Sequence, residues 1–334
     1  MAPPWLSMRE RFIFLAVLVA AAGLGALLVF PRARDAPEPP PPSQPPIDAS
    51  LPDAAPSAVV DAGPAPPPPL PDYVRINPES AAACGAGMVL VDGIYCPYVG
   101  HTCTKFLYEE RDVCDRYAPD VLCEGRLLHR RYCMDVFEYP NVEGVVPAVM
   151  VDWNDARRAC AVEGKRLCTT EEWEFACEGP EMWPYPYGID RDSTACNIDR
   201  VYTLPEMEAF SDPWKISAEV DRLDKRVPSG SRPRCISPFG VRDMTGNVDE
   251  WVDNPKGKVE DKPYRSTLKG GYWGSIRARC RPQTSSHNEW FSFYQVGFRC
   301  CKDTAGSAPV EPAAREIHIP RKQRMAEPPR RPTP

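Results

Sequence analysis

No cysteine occurs before Cys84, no C-x-x-C pair occurs anywhere, and the four histidines (His101, His129, His287, His318) are scattered. Structural zinc sites are built from close Cys/His pairs, so this spacing speaks against one. Basic charge is not in surplus either. Lys and Arg number 40 against 46 Asp and Glu, a net charge of -6, and no Arg/Lys cluster is interleaved with aromatics. That balance argues against a nucleic-acid binder. The G-x-S-x-G, H-E-x-x-H and P-loop signatures are missing as well, which removes the common hydrolase, metalloprotease and nucleotide-binding motifs. Glu171, Glu172 and Glu174 do crowd together. They sit at the start of an expected helix, where they answer the helix dipole and are not a catalytic carboxylate pair.

Cysteine and proline are what the 334-residue chain has in excess. All fourteen cysteines fall between Cys84 and Cys301, an even number in one bounded span. Disulfides are the better reading, and they imply an oxidising compartment. Residues 12–30, FIFLAVLVAAAGLGALLVF, carry no charge. At about 1.5 Å per residue the run is long enough to cross the hydrocarbon core. Arg9 and Arg11 precede it, and Arg32 and Arg34 follow it. The positive-inside signal is nearly balanced, so the oxidised span decides the orientation, with residues 1–11 in the cytoplasm and the rest outside. A cleaved signal peptide is the alternative, which would give a secreted protein. Sixteen of the 41 prolines lie in residues 31–72. Such a segment cannot bury a core and favours extended polyproline conformations, as a linker or stalk does. Residues 304–334 are again proline-rich, with Arg321, Lys322, Arg324, Arg330 and Arg331, and read as a disordered tail.

The span between has few long periodic segments. One helix is expected over 153–163, capped by Asp152 or Asn154, with Trp153, Ala156 and Cys160 on one face and Gly164 ending it. A second is expected over 170–178. There Thr169-Thr170-Glu171-Glu172 has capping-box spacing, a Thr hydroxyl with a Glu three residues on. Short strands fit Gly87 to Val91 and Gly297 to Cys301. The expectation is an α+β domain over 84–303 with low regular secondary structure, disulfide-rich.

Several segments of this domain resemble one family in order. MVLVDG (Met88–Gly93) and CMDVFEYPN (Cys133–Asn141) come first. VMVDWNDARRAC (Val149–Cys160) and GKRLCTTEEWEFAC (Gly164–Cys177) carry the two helices. GVRDMTGNVDEWV (Gly240–Val252), KGGYW (Lys269–Trp273) and GFRC (Gly297–Cys300) follow. Together they resemble the formylglycine-generating-enzyme, or sulfatase-modifying-factor, family. The fold this implies is that family's variant of the C-type-lectin-like fold. The resemblance also implies disulfides Cys160–Cys300 and Cys177–Cys280. For the other ten cysteines it supplies no template; Cys114–Cys123 and Cys84–Cys96 are local expectations. It implies a structural Ca²⁺ held by Asp243, the carbonyls of Gly246 and Val248, and Glu250, oxygen donors that suit a hard cation. A second site would begin at Asn197 and Ile198, with Asp212 and Trp214 as its remainder.

The family's oxidase binds copper through two cysteines spaced C-x-x-x-x-C after the G-G motif. Here the segment reads Gly270-Gly271-Tyr272-Trp273 onward to Cys280, with no such pair. One sulfur cannot supply the two thiolates that suit Cu(I), so copper and formylglycine generation are not expected. The iron-ligand set H-x-x-x-H-x-E of another branch is also missing. A family groove would here lie beside Trp273, Arg279, Arg281, His287 and Trp290. Two functions therefore stand side by side. One is a membrane-anchored pseudoenzyme module that binds an exported protein or a glycan. The other is a family oxidoreductase acting on exported protein or small-molecule substrates. A purely structural envelope protein is a third.

Overall fold

The computed structural model describes residues 69–255 and 264–304. The apolar run at 12–30, the N-terminal residues, nearly all of the proline-rich linker and the C-terminal tail lie outside the described residues. Among the described residues no helix is long and apolar enough to cross a membrane.

Four helices and ten strands occur among the described residues. Helix α1 is Ser80–Cys84, α2 Trp153–Val162, α3 Thr170–Glu178 and α4 Ile216–Leu223. The strands are β1 Met88–Tyr95, β2 Tyr98–Tyr108, β3 Val113–Glu124, β4 Leu128–Asp135 and β5 Arg166–Leu167. They continue with β6 Asp249–Asp253, β7 Ser266–Lys269, β8 Gln283–Thr284, β9 Val296–Phe298 and β10 Cys300–Asp303. One sheet has the order β1-β4-β10-β5, a second β8-β7-β6-β9, and β2 with β3 forms a separate hairpin. Within the second sheet β6 runs parallel to β9, so the E-W block and the G-F-R-C block lie side by side.

Both expected helices form, and for the expected reasons. The Asp152 carboxylate accepts from the Asp155 N–H at 2.8 Å and opens α2. The Thr169 hydroxyl and the Glu172 carboxylate satisfy each other's backbone N–H groups and open α3. Trp173, Phe175, Ala176 and Cys177 are fully buried. They join β1 and β4 residues Val91, Tyr95, Tyr132 and Met134 in the main core. A second core packs Trp153 and Cys160 of α2 against Trp251, Leu268 and Phe298. Helix α3 touches β4, β6 and β7 and so joins the two sheets.

The compact body begins earlier than Cys84. The Tyr73 hydroxyl donates to the Ile236 carbonyl at 3.3 Å, and the Arg75 N–H to that of Pro238 at 2.7 Å. The C-terminal expectation of one strand becomes two, β9 and β10.

All fourteen cysteines are paired. Cys160–Cys300 and Cys177–Cys280 are both present, closing separations of 140 and 103 residues. Cys301 pairs with Cys168. Neighbouring strand residues face opposite ways, so Cys300 and Cys301 reach different partners. The two local expectations are overturned: Cys84 bonds Cys133, Cys96 bonds Cys123, and Cys103 bonds Cys114. For the hairpin cysteines the reason is strand register. Opposite Cys123 lies Val99, and opposite Cys114 lies Phe106, which leaves Cys96 at the open end and Cys103 near Cys114. Cys196–Cys235 completes the set.

Candidate functional site

The turn after Gly270-Gly271 positions the site. Gly271 has φ +68°, and a Cβ there would lie 2.5 Å from the Ile276 carbonyl and 2.9 Å from the Ala278 N–H. Only glycine lets residues 272–278 fold back this tightly. The turn is then tied to an upstream loop. Arg200 N–H donates to the Trp273 carbonyl at 2.8 Å, and Arg191 Nη2 to the Ser275 carbonyl at 3.2 Å.

A groove of about 880 Å³ opens over this turn. Gly274 to Arg277 line it from the turn, and Asp199 to Tyr202 from the upstream loop. Tyr272, Phe293 and Tyr294 add aromatic surface, and Leu107 and Tyr108 of β2 reach it from the hairpin. The Tyr272 and Tyr294 rings meet edge to face, centroids 6.4 Å apart, and burial raises the pKa of both. The groove's one lining carboxylate, Asp199, and its lining Arg277 are both already paired. Arg277 grips buried Asp249 through both nitrogens, at 2.7 and 3.1 Å, and Arg191 grips Asp199 at 2.7 and 2.9 Å. Arg200 donates its Nε to the Asn197 side-chain oxygen at 2.9 Å, and among the described residues no carboxylate pairs with it. The groove therefore carries one surplus positive charge and several hydroxyl donors.

The residues expected to form a groove do not come together in one. Trp273 is buried against Tyr272 and Tyr294, with centroids 5.4 and 5.7 Å apart. Arg279 reaches the Tyr117 hydroxyl of the hairpin. Arg281 is locked by Glu178 and by the carbonyls of Cys96 and Pro97. His287 stacks on Phe291 at 3.7 Å, and Trp290 is 73% exposed. Motif position placed these residues, whereas the fold of the turn selects Tyr272 and Arg277 instead. Leu107, Tyr108, Tyr202 and Tyr294 carry no sequence signal that marks them for a groove.

The residues around the E-W block form a second cluster. Glu250 is buried, and its two oxygens accept from Arg299 Nε and Nη2, both at 2.7 Å, and from Trp173 Nε1 at 2.8 Å. Asp243 accepts from the Gly230 N–H at 2.7 Å, and burial raises its pKa to about 6. Glu138, from the CMDVFEYPN block, lies in the same field. Its Oε2 accepts from Ser229 Oγ and Asn247 Nδ2, both at 3.0 Å, while its buried Oε1 has no partner. Burial, then the charge of Asp243, pushes the Glu138 pKa well up. Three buried carboxylates thus share one buried guanidinium. Among the described residues no three His, Cys, Asp or Glu side chains come together as a group able to hold a metal ion, so a hard cation here would need main-chain carbonyls, such as those of Gly246 and Val248, to supply most of its oxygens. Within the set Glu250 is the ligand most committed elsewhere, because Arg299 already holds it. Glu138 was not singled out from sequence, since nothing in the motif distinguishes it from a core capping residue.

At the second expected site Asn197 and Ile198 are buried. The Asn197 amide donates to the Lys225 carbonyl and to Asn247 Oδ1, while its Oδ1 faces Arg200 and its backbone carbonyl accepts from the Asn247 N–H. Both Asn197 oxygens are engaged, one by a cation. Trp214 is 93% exposed.

Residues 134–304, about half of the chain, match the family described as "Sulfatase-modifying factor enzyme 1-like domain". The chain belongs to that family. With the sulfatase-modifying-factor family comes its fold, the formylglycine-generating-enzyme variant of the C-type-lectin-like fold, here reinforced by seven disulfides. The chain is 33% identical over 172 residues to a Bos taurus protein named inactive C-alpha-formylglycine-generating enzyme 2, covering 49% of this chain and 52% of that one. It is 27% identical over 185 residues to a Mus musculus formylglycine-generating enzyme, covering 47% and 44%. The chain thus spans about half the length of these relatives. The solved structure of PvdO from Pseudomonas aeruginosa is similar at a TM-score of 0.41 and 19% identity, over 65% of this chain and 94% of that one.

Proposed function

We propose that this chain holds its sulfatase-modifying-factor-family domain outside the cytoplasmic membrane as a binding module without formylglycine-generating activity. The observation that carries this reading is the Cys177–Cys280 disulfide. Cys280 is the one cysteine downstream of the G-G motif before Cys300, and its sulfur is bonded to α3. Copper chemistry of the kind the family implies needs two thiolates close together. The turn offers Tyr272, Ser275 and Arg277 in their place. The name of the Bos taurus relative, an inactive enzyme, agrees with this reading.

The ligand proposed is an extended segment of an exported polypeptide. Of the acceptors lining the groove, Asp199 is taken by Arg191, while Gln295 Oε1 has no partner and can accept a backbone N–H. Tyrosine hydroxyls and Arg200 are donors, which suit backbone carbonyls and an acidic side chain. The apolar run at 12–30 anchors the chain, residues 31–72 space the domain from the bilayer, and calcium at the Asp243 cluster steadies the E-W turn.

The test pans the full chain, in detergent, against a phage-displayed library of random dodecapeptides. Enrichment of aromatic peptides bearing Asp or Glu is expected, with the acidic preference lost in Arg200→Glu. No enrichment above the carrier, or an acidic preference unchanged in Arg200→Glu, overturns the reading.

A further inference from the structure

The β2–β3 hairpin lies before residue 134, outside the segment that matches the family, yet two of its side chains line the groove. Its construction fixes where those side chains are. Cys96–Cys123 closes the open end, and Cys103–Cys114 closes the outer half across only 11 residues. Between His101 and Tyr108 the register shifts repeatedly, so the ladder carries bulges. Bulges bend a strand, raise its twist and re-aim the residues beyond them. The returning strand is clamped to the loop that leads into the groove. Tyr117 N–H donates to the Ile189 carbonyl at 3.1 Å, Arg191 N–H to that of Asp115 at 2.8 Å, and Tyr185 hydroxyl to that of Cys114 at 3.1 Å. Cys114, Tyr117 and Tyr185 are buried together in a small core of their own.

At the end of this rigid arm three successive large apolar residues stay exposed, Phe106 at 40%, Leu107 at 42% and Tyr108 at 43%. Single exposed hydrophobics are ordinary, whereas two of these three border one groove. Leu107 and Tyr108 line the groove; Phe106 does not.

We propose that the hairpin is the specificity-determining wall of the groove. Leu107 and Tyr108, held in place by the Cys103–Cys114 crosslink, select a large apolar side chain on a polypeptide bound between them and the Tyr272–Tyr294 pair. The inference rests on the polypeptide reading of the groove and adds to it which residues choose the ligand. A stapled arm suits this role, because a wall ordered before binding does not have to be ordered by the ligand.

The experiment takes the individual dodecapeptides that the wild-type chain enriches, labels them with fluorescein, and measures anisotropy with variants of the full chain. Leu107→Ala/Tyr108→Ala is expected to lose tenfold or more in affinity. Panned afresh, it is expected to enrich peptides with no fixed large apolar position. Tyr108→Phe restores most of the affinity, and Phe106→Ala stays within twofold of wild type. Melting temperature and an intact mass showing seven disulfides confirm that each variant folds. A double variant that binds the same peptides within twofold, with an unchanged consensus, overturns the hairpin's role and leaves the groove reading standing. Failure of the wild type to enrich any peptide overturns the groove reading, and this inference with it.

Discussion

Replacing Arg299 by methionine should destabilise the domain more than any surface change. The guanidinium is fully buried and uses its donors completely. Nε and Nη2 hold Glu250, both at 2.7 Å; Nη2 also reaches the Arg242 carbonyl at 2.9 Å, and Nη1 reaches those of Asp135 at 3.4 Å and Val136 at 3.2 Å. Methionine keeps most of the volume and removes every one of these bonds. Glu250 would then keep only the Trp173 indole as a donor, with Glu138 and Asp243 in the same field. Breaking a buried ion pair from one side costs about 3–5 kcal/mol, because the surviving charge has no water to turn to. For a domain of this size that corresponds to a fall of about 6–20 °C in melting temperature, at 2–4 °C per kcal/mol. The assay is urea unfolding of the oxidised protein at pH 7.5, followed by tryptophan fluorescence, with calorimetry as a second probe. The double variant Arg299→Met/Glu250→Gln should recover part of the loss, since the carboxylate that Arg299 holds directly is then neutral. A loss below about 1 kcal/mol in the single variant would refute the claim that Glu250 depends on Arg299, because a solvated pair has that magnitude.

Calcium added to chelator-treated protein should raise the melting temperature by several degrees, and Glu138→Gln should shrink that shift while leaving the calcium-free protein no less stable; no shift at millimolar calcium would contradict the cation reading of the Asp243 cluster. Cys177→Ser/Cys280→Ser opens a crosslink over 103 residues. The chain-entropy model gives about 4.7 kcal/mol for a loop of that length, and about 2–5 kcal/mol is usual on removal, measurable by the same unfolding curves. Burial lowers the pKa of His101, whose Nε2 lies 2.7 Å from the Met182 carbonyl. The folded state therefore binds its proton less readily than the unfolded state does, so stability from this group is present above the ordinary value of 6.5 and is lost as the pH falls below it. His101→Phe should flatten the fall in stability between pH 7 and pH 5; an unchanged slope would assign that fall to other groups.

Much of the scaffold could be read from the chain. Asp152 and the Thr169/Glu172 box mark two helix starts because capping depends on residues three apart, which sequence shows directly. The long crosslinks Cys160–Cys300 and Cys177–Cys280 follow from family resemblance, whereas Cys168–Cys301 depends on the pairing of β10 with β5, which sets Cys301 opposite Arg166, two residues from Cys168. The hairpin cysteines were misassigned because their partners depend on strand register, and bulges between His101 and Tyr108 shift that register in a way composition does not display. The groove was misplaced for a related reason. Arg277 at φ +57° and Gly271 turn the segment so that Tyr272 to Arg277 face the groove, while Arg279 and Arg281 leave it for the hairpin and for Glu178. Glu138 escaped because its meaning lies in Asp243 and Glu250, more than 100 residues away.

The most direct measurement is a count of free thiols on the purified, unreduced full chain, by alkylation in denaturant and peptide mass mapping. With every sulfur bonded, the count should be zero, and one peptide pair should join Cys177 to Cys280. An alkylated Cys280 accompanied by one equivalent of copper would contradict the account and return the chain to the oxidases of its family.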